Sequence, residues 1–154
     1  MTDGARARLD SPVGPLTLVE QNCAVVALEW NATGDVVRTG MLGDAVAQMS
    51  DYFAGNRQAF DVPLQPRGSA FQQKFYAALR AIPYGETRTY GDLATELGVS
   101  AQAIGQACGA NPIAILIPCH RVLGAAGLGG FSGAGGVEAK VELLKLEGAA
   151  SLLI

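Results

Sequence analysis

Histidine occurs once in this sequence, at His120, and tryptophan once, at Trp30. The three cysteines, Cys23, Cys108 and Cys119, are an odd number at wide spacing, which excludes a disulfide framework. With a single histidine they make no standard zinc pattern either, so neither a metal nor another cofactor is expected. No apolar run is long enough to span a bilayer, so no membrane role is expected. Residues 1–6 lack the apolar stretch of a signal peptide, and the expected compartment is the cytoplasm. Charge is sparse too. The formal net charge of −3 argues weakly against nucleic acid as a partner, but its distribution weakens that argument. Residues 1–64 hold four basic and eight acidic side chains, whereas residues 65–154 hold seven and six. A local patch decides more than a total. Apolar residues, in contrast, are plentiful at 49%, enough for one ordinary domain or two small lobes.

The first part of the chain reads as strands. Residues 16–19 and 23–30 flank Gln21-Asn22, a hairpin-turn candidate, and Cys23 and Trp30 then read as core. Asp44 is placed to cap a helix with Val46, Met49 and Phe53 on one face and Gly55 as its stop. Phe60, Val62 and Leu64 alternate as a returning strand would, and Pro66-Arg67-Gly68 reads as a connection between lobes. Beyond it the pattern becomes helical. Ser69 caps a helix carrying Phe71, Phe75, Leu79 and Ile82, which Pro83-Tyr84-Gly85 ends. Thr89 caps a short helix over 90–97, Gly98 breaks it, and Ser100 caps another over 101–109. Two short helices about a tight turn make a helix-turn-helix candidate, although many helical hairpins bind nothing. A last helix over 137–147 carries Val137, Val141 and Leu144. The expected fold is α+β, with an N-terminal strand and helix lobe over 1–66 and a helical lobe with a helix-turn-helix over 67–154.

Chemistry concentrates in Ile117-Pro118-Cys119-His120-Arg121, which closes the apolar run 113–117. The thiolate, not the thiol, is the nucleophile, and a free thiol is mostly protonated near neutral pH. An adjacent imidazole able to take the proton is one of the few remedies. His120 alone would read as a satisfied core histidine, Asn111 as a helix stop before Pro112, and Glu147 as a surface carboxylate. The last-turn position of Glu147 disfavours an anion and so points to a specific partner.

Taken together, Asn111-Pro112 and the run through Pro118-Cys119-His120-Arg121-Val122 resemble the active-site signature of the O6-alkylguanine-DNA alkyltransferases, or methylated-DNA–protein-cysteine methyltransferases. Phe71-Gln72, Ile82-Pro83-Tyr84-Gly85-Glu86-Thr87, Tyr90 with Leu93-Ala94, and Lys140 with residues 143–148 stand in that family's order. The likeness covers nearly the whole chain and is looser in the N-terminal lobe. It implies a monomeric, cofactor-free enzyme that moves one alkyl group from guanine O6 in double-stranded DNA to a cysteine, irreversibly. By the resemblance, Cys119 is the acceptor, His120 takes its proton through a water, Glu147 orients the imidazole, and Asn111 holds the turn. Tyr90 crowds the phosphate during rotation of the nucleotide. Gln102, Ala103 and Gly105 lie on a helix that enters the minor groove, with Arg121 also on the DNA side. Val122, Phe131 and Ser132 line the base pocket. Two departures stand out. Allowing a two-residue deletion near Val99-Ser100, Gln102 occupies a position where the family usually has an arginine, and Phe131 sits where a tyrosine is common. A two-residue insertion also lengthens the loop at Ala134-Gly135-Gly136. Two other readings stay open: a lesion-binding relative that flips damaged guanine without efficient transfer, and a helix-turn-helix regulator with a structural cysteine. A zinc deaminase is disfavoured because no Cys-x-x-Cys follows Pro118.

Overall fold

The computed structural model describes residues 4–124 and 136–149. The chain divides into two compact units, residues 1–67 and 68–154, within the expected α+β class.

In the first unit β1 (Ala5–Leu9), β2 (Leu16–Gln21) and β3 (Ala24–Glu29) form an antiparallel sheet in the order β1-β2-β3. Ala7, Leu9, Leu16, Leu18, Val25 and Leu28 are buried, and β2, paired on both edges, is buried over its first four residues. Thr17 is tolerated there because its hydroxyl donates to the Asn31 carbonyl and accepts from the Gly34 amide. Between β2 and β3, Asn22 and Cys23 have φ of 53° and 62°. Two successive left-handed residues match the right-handed strand twist in a two-residue hairpin. Cys23 therefore sits exposed in the turn rather than in the core of the strand.

The helix α1 (Gly40–Phe53) packs on β1 and buries Leu42, Ala45, Met49 and Tyr52. Its N-cap is Thr39, so Asp44 lies inside the helix, where it accepts from Gln48 at 3.0 Å. The buried Gln48 also pairs with the Asp61 backbone, donating to its carbonyl and accepting from its amide. That side chain replaces a strand ladder. Of the expected strand over Phe60, Val62 and Leu64, only Leu64 bridges, to Val25. The intervening Pro63 has no amide to donate and contributes only its carbonyl.

In the second unit Ser69 and Gln72 form a capping box for α2 (Ala70–Arg80), which buries Phe75, Tyr76 and Leu79. Thr89 and Asp92 do the same for α3 (Tyr90–Leu97), Gly98 closes it at φ 69°, and Ser100 caps α4 (Ala101–Gly109). The helices α3 and α4 pack against each other across the Gly98 turn, and Leu93, Ala94, Ile104 and Ala107 are their buried residues. A short parallel pair, β4 (Arg88–Thr89) with β5 (Val122–Leu123), ties the start of α3 to the chain after the Cys-His segment. No local pattern announced it. The helix α5 (Val137–Glu147) buries Ala139, Lys140, Leu143, Leu144 and Glu147, while Val137 is 41% exposed. The aliphatic residues Val137 and Val141 do not mark the inward face, because Lys140 and Glu147 find partners inside. Among the described residues no helix is long and apolar enough to cross a membrane.

Nothing would crowd a Cβ at Gly98, so its requirement is purely conformational. Gly98→Ala is expected to cost roughly 1–2 kcal/mol, the penalty of the left-handed region. Urea denaturation reads this directly, and unchanged stability would show that the turn relaxes out of that region.

Candidate active site

The segment after α4 is built to present Cys119. Asn111 accepts from the Ile113 amide at 3.0 Å and donates to the Ile117 carbonyl at 2.9 Å, so one side chain ties both ends of the buried run. Inside the run Ile115 has φ 75°, and the Leu116 amide reaches the Ala114 carbonyl at 2.9 Å. This is a γ-turn of the rare, strained kind, held here at a β-branched residue. Pro118, at φ −80° and ψ 67°, then makes an inverse γ-turn in which the Cys119 amide donates to the Ile117 carbonyl at 2.8 Å. Two tight reversals deliver Cys119 to a single 3-10 turn, Cys119–Arg121.

All three residues of that turn are buried, and α5 packs on them. The His120 Nε2 lies 2.8 Å from Glu147 Oε2. With Nε2–H donating to the carboxylate, Nδ1 carries the lone pair. That Nδ1 is buried and has no hydrogen-bond partner among the described residues. The other face of Glu147 belongs to Arg121, whose Nε donates to Oε1 at 2.8 Å and Nη2 to Oε2 at 2.9 Å. Its Nη1 donates to the Ile82 carbonyl at 2.7 Å, and the guanidinium lies over the Tyr84 ring. Arg121 was expected on the DNA side. It is buried instead, and its guanidinium is committed to Glu147 and Ile82, because a carboxylate at the end of α5 needs a cation to be tolerated inside.

Burial pushes the Cys119 thiol up, opposed by a hydrogen bond from Asn111, by the charge of Lys140 and by its own backbone. Burial holds His120 below the ordinary histidine range, against the pull of Glu147. Cys108 is pushed up to about 12, mainly by burial, and stays a neutral thiol. A thiol, an imidazole next to it in the chain and a carboxylate bonded to that imidazole are the groups that nucleophile–base–orienter chemistry requires. Among the described residues no cluster of three or more His, Cys, Asp or Glu could hold a metal ion.

The remaining expected positions spread over the second unit. Tyr90 opens α3 and is half-buried, Gln102 and Gly105 are exposed on α4, and Ala103 is half-buried there. Val122 is fully buried, and its carbonyl accepts from Lys140 at 2.7 Å. Phe131 and Ser132 lie outside the described residues. Sequence reasoning gave no role to Lys140, which is completely buried with its ammonium 5.8 Å from the Tyr90 ring centre. The available signal was its spacing of seven from Glu147, two helical turns on one face.

The chain matches two family models, the 6-O-methylguanine DNA methyltransferase ribonuclease-like domain over residues 6–66 and the DNA binding domain of the same family over residues 70–149. It is 46% identical over 149 residues to a methylated-DNA–protein-cysteine methyltransferase of Mycobacterium tuberculosis, covering 90% of this chain and 89% of that one. The constitutive methylated-DNA–protein-cysteine methyltransferase of Bacillus subtilis is 37% identical over 152 residues, with 90% and 92% covered. The crystal structure of Mycobacterium tuberculosis OGT in complex with DNA matches at a TM-score of 0.82 and 44% identity, over 93% of this chain and 92% of that one.

The lowered His120 predicts a pH dependence of stability. The unfolded chain takes up a proton near pH ~6.5, while the native state resists it. Stability is therefore full above that pH and falls as the pH drops through it, by at most about 1.4 kcal/mol per pH unit. Chemical denaturation between pH about 7 and 5.5 should show this slope, and His120→Gln should flatten it.

Proposed function

The chain belongs to the methylated-DNA–protein-cysteine methyltransferase family and is an enzyme of that class, and on this premise we propose that Cys119 accepts one alkyl group from O6-alkylguanine in DNA. The observation that carries the assignment is the buried His120, next to Cys119 in the chain, bonded through Nε2 to Glu147 and with a buried Nδ1 that has no hydrogen-bond partner among the described residues. His120 takes the thiol proton through a water. The sulfur attacks the alkyl carbon, an S–C bond forms as the C–O6 bond breaks, and the electron pair stays with the guanine. On balance guanine gains one proton and the thiol loses one. A thioether has no easy way back, so each chain acts once.

DNA is the partner, and the finer account of its binding is part of this proposal. The target oxygen lies inside the duplex, so the nucleotide rotates out of the stack. Tyr90, at the start of α3, crowds the phosphate. The helix α4 lies in the minor groove, whose degenerate pattern suits a protein that must survey any sequence. Gly105 leaves open space where a side chain would stand, which permits close approach. Gln102 fills the vacated stack without a charge. The protein acts as a monomer in the cytoplasm, without a cofactor.

Intact-mass measurement after incubation with an O6-methylguanine duplex should show one methyl adduct, mapped to Cys119 and absent in Cys119→Ser. Turnover beyond one equivalent, or a label on Cys108, overturns the assignment. Tight lesion binding with an unmodified thiol would identify a lesion-binding protein instead.

Residues 101–109 contain no charged side chain, so Gln102→Arg adds the first cation to α4. It should tighten binding to lesion duplex and steepen the salt dependence by about one counterion. Reaction with free O6-benzylguanine, which needs no flipping, should barely change. Equal acceleration of both reactions would place residue 102 in the pocket, and no change in either would assign the stack-filling role elsewhere.

A further inference from the structure

The helix α4 carries, besides Gln102, a second side chain able to reach a partner outside the protein. Its exposed residues are Ala101, Gln102, Gly105, Gln106 and Gly109. Gln102 and Gln106 are four apart, so they stand one above the other on the same face, about 6 Å along the axis. The other three positions carry a methyl group or nothing, and a Cβ at Gly105 or Gly109 would meet no atom within 4 Å. The two glutamines are therefore the only exposed side chains of α4 that extend beyond the helix surface. Neither side-chain amide has a hydrogen-bond partner among the described residues. The amides of Gln48 and Gln72, in contrast, are engaged within the protein, by Asp44, Asp61 and Ser69.

We propose that Gln106 is a specificity-determining residue that hydrogen-bonds the minor-groove edge of a base pair near the lesion and favours guanine there. This rests on the reading of α4 as the helix that lies in the minor groove, with Gln102 at the vacated stack. In that groove A·T and T·A pairs offer only the acceptors N3 and O2, and a G·C pair adds one donor, the guanine N2 amino group. A side chain must carry an acceptor to sense that donor. Arginine and lysine have none, whereas glutamine has both an acceptor and a donor. Oε1 of Gln106 accepts from the amino group, while Nε2 donates to a neighbouring N3 or O2. Facing an A·T pair, only Nε2 finds a partner, and Oε1 gives up water without replacement. The spacing of about 6 Å from Gln102 is close to two base steps of ~3.4 Å, so the contact falls within the first few pairs on one side of the lesion. One neutral hydrogen bond gives a bias in rate, not a requirement, which is compatible with surveying any sequence.

The test uses O6-methylguanine duplexes in which a single G·C pair is moved through the three positions on either side of the lesion. Each is compared with the inosine·C pair, which lacks only the N2 amino group, and transfer rates are read below saturation so that binding contributes. At one position the parent should lose about two- to tenfold on inosine substitution, the worth of one neutral hydrogen bond. Gln106→Ala should lose nothing further there, beyond any change that inosine causes at every position. Indifference of the parent at all positions overturns the proposal, and so does a Gln106→Ala variant that keeps the parent's dependence. Alanine is the better helix former, so the variant keeps α4 intact. With free O6-benzylguanine Gln106→Ala should react at the parent's rate, and a slower reaction would overturn a role confined to DNA. A parent that captures no alkyl group from any duplex overturns the underlying reading as well. A parent that captures it equally from all of them overturns this proposal alone.

Discussion

The carboxylate of Glu147 is the point on which the second unit turns. It sits inside the protein at the C-terminal end of α5, where the helix dipole disfavours an anion. An unpaired charge there would be costly, and breaking such a pair typically costs about 3–5 kcal/mol. The two oxygens are engaged by the imidazole of His120 and the fork of Arg121. Arg121 in turn holds the Ile82 carbonyl just beyond α2. One buried anion thus joins α5, the 3-10 turn and the end of α2, and in doing so sets the ring plane and tautomer of the base.

The chain leading to the thiol is organised by a different constraint. A buried segment must satisfy its backbone without a helix or sheet. Here Asn111 serves two backbone groups, and two γ-turns serve two more. The left-handed Ile115 is a local cost of order 1–3 kcal/mol, sustained by the surrounding contacts. Such a turn holds Cys119 in one orientation. The parallel pair β4-β5 joins the chain just after the 3-10 turn to the chain just before α3, and Lys140 links the same two segments through the Val122 carbonyl and the Tyr90 ring.

The pair α3 and α4 is different in kind. Its caps and its left-handed glycine are local devices, and its outward helix carries no charge. Attraction to a polyanion must then come from other surfaces. A helix free of cations suits close approach more than long-range steering.

Local physics made much of this legible in the amino-acid order. Ser69, Thr89 and Ser100 announce their helices because a side-chain oxygen at an N-cap satisfies an orphan amide wherever the helix goes. Cys119 beside the sole histidine singled out a candidate nucleophile, and Asn111 upstream acts on the close neighbours Ile113 and Ile117. Of the residues whose partners lie far along the chain, His120 and Glu147 were paired only through the family resemblance, and others were not readable. Arg121 was expected to bind DNA and is instead buried, meeting a carboxylate 26 residues away. Lys140 had no role assigned to it, and its partner is a carbonyl 18 residues back. Phe60, Val62 and Leu64 alternated as a strand does, but Gln48 and Pro63 settled that segment otherwise. Whether a polar side chain is surface or core depends on whether tertiary packing brings it a partner, and only the folded chain decides that.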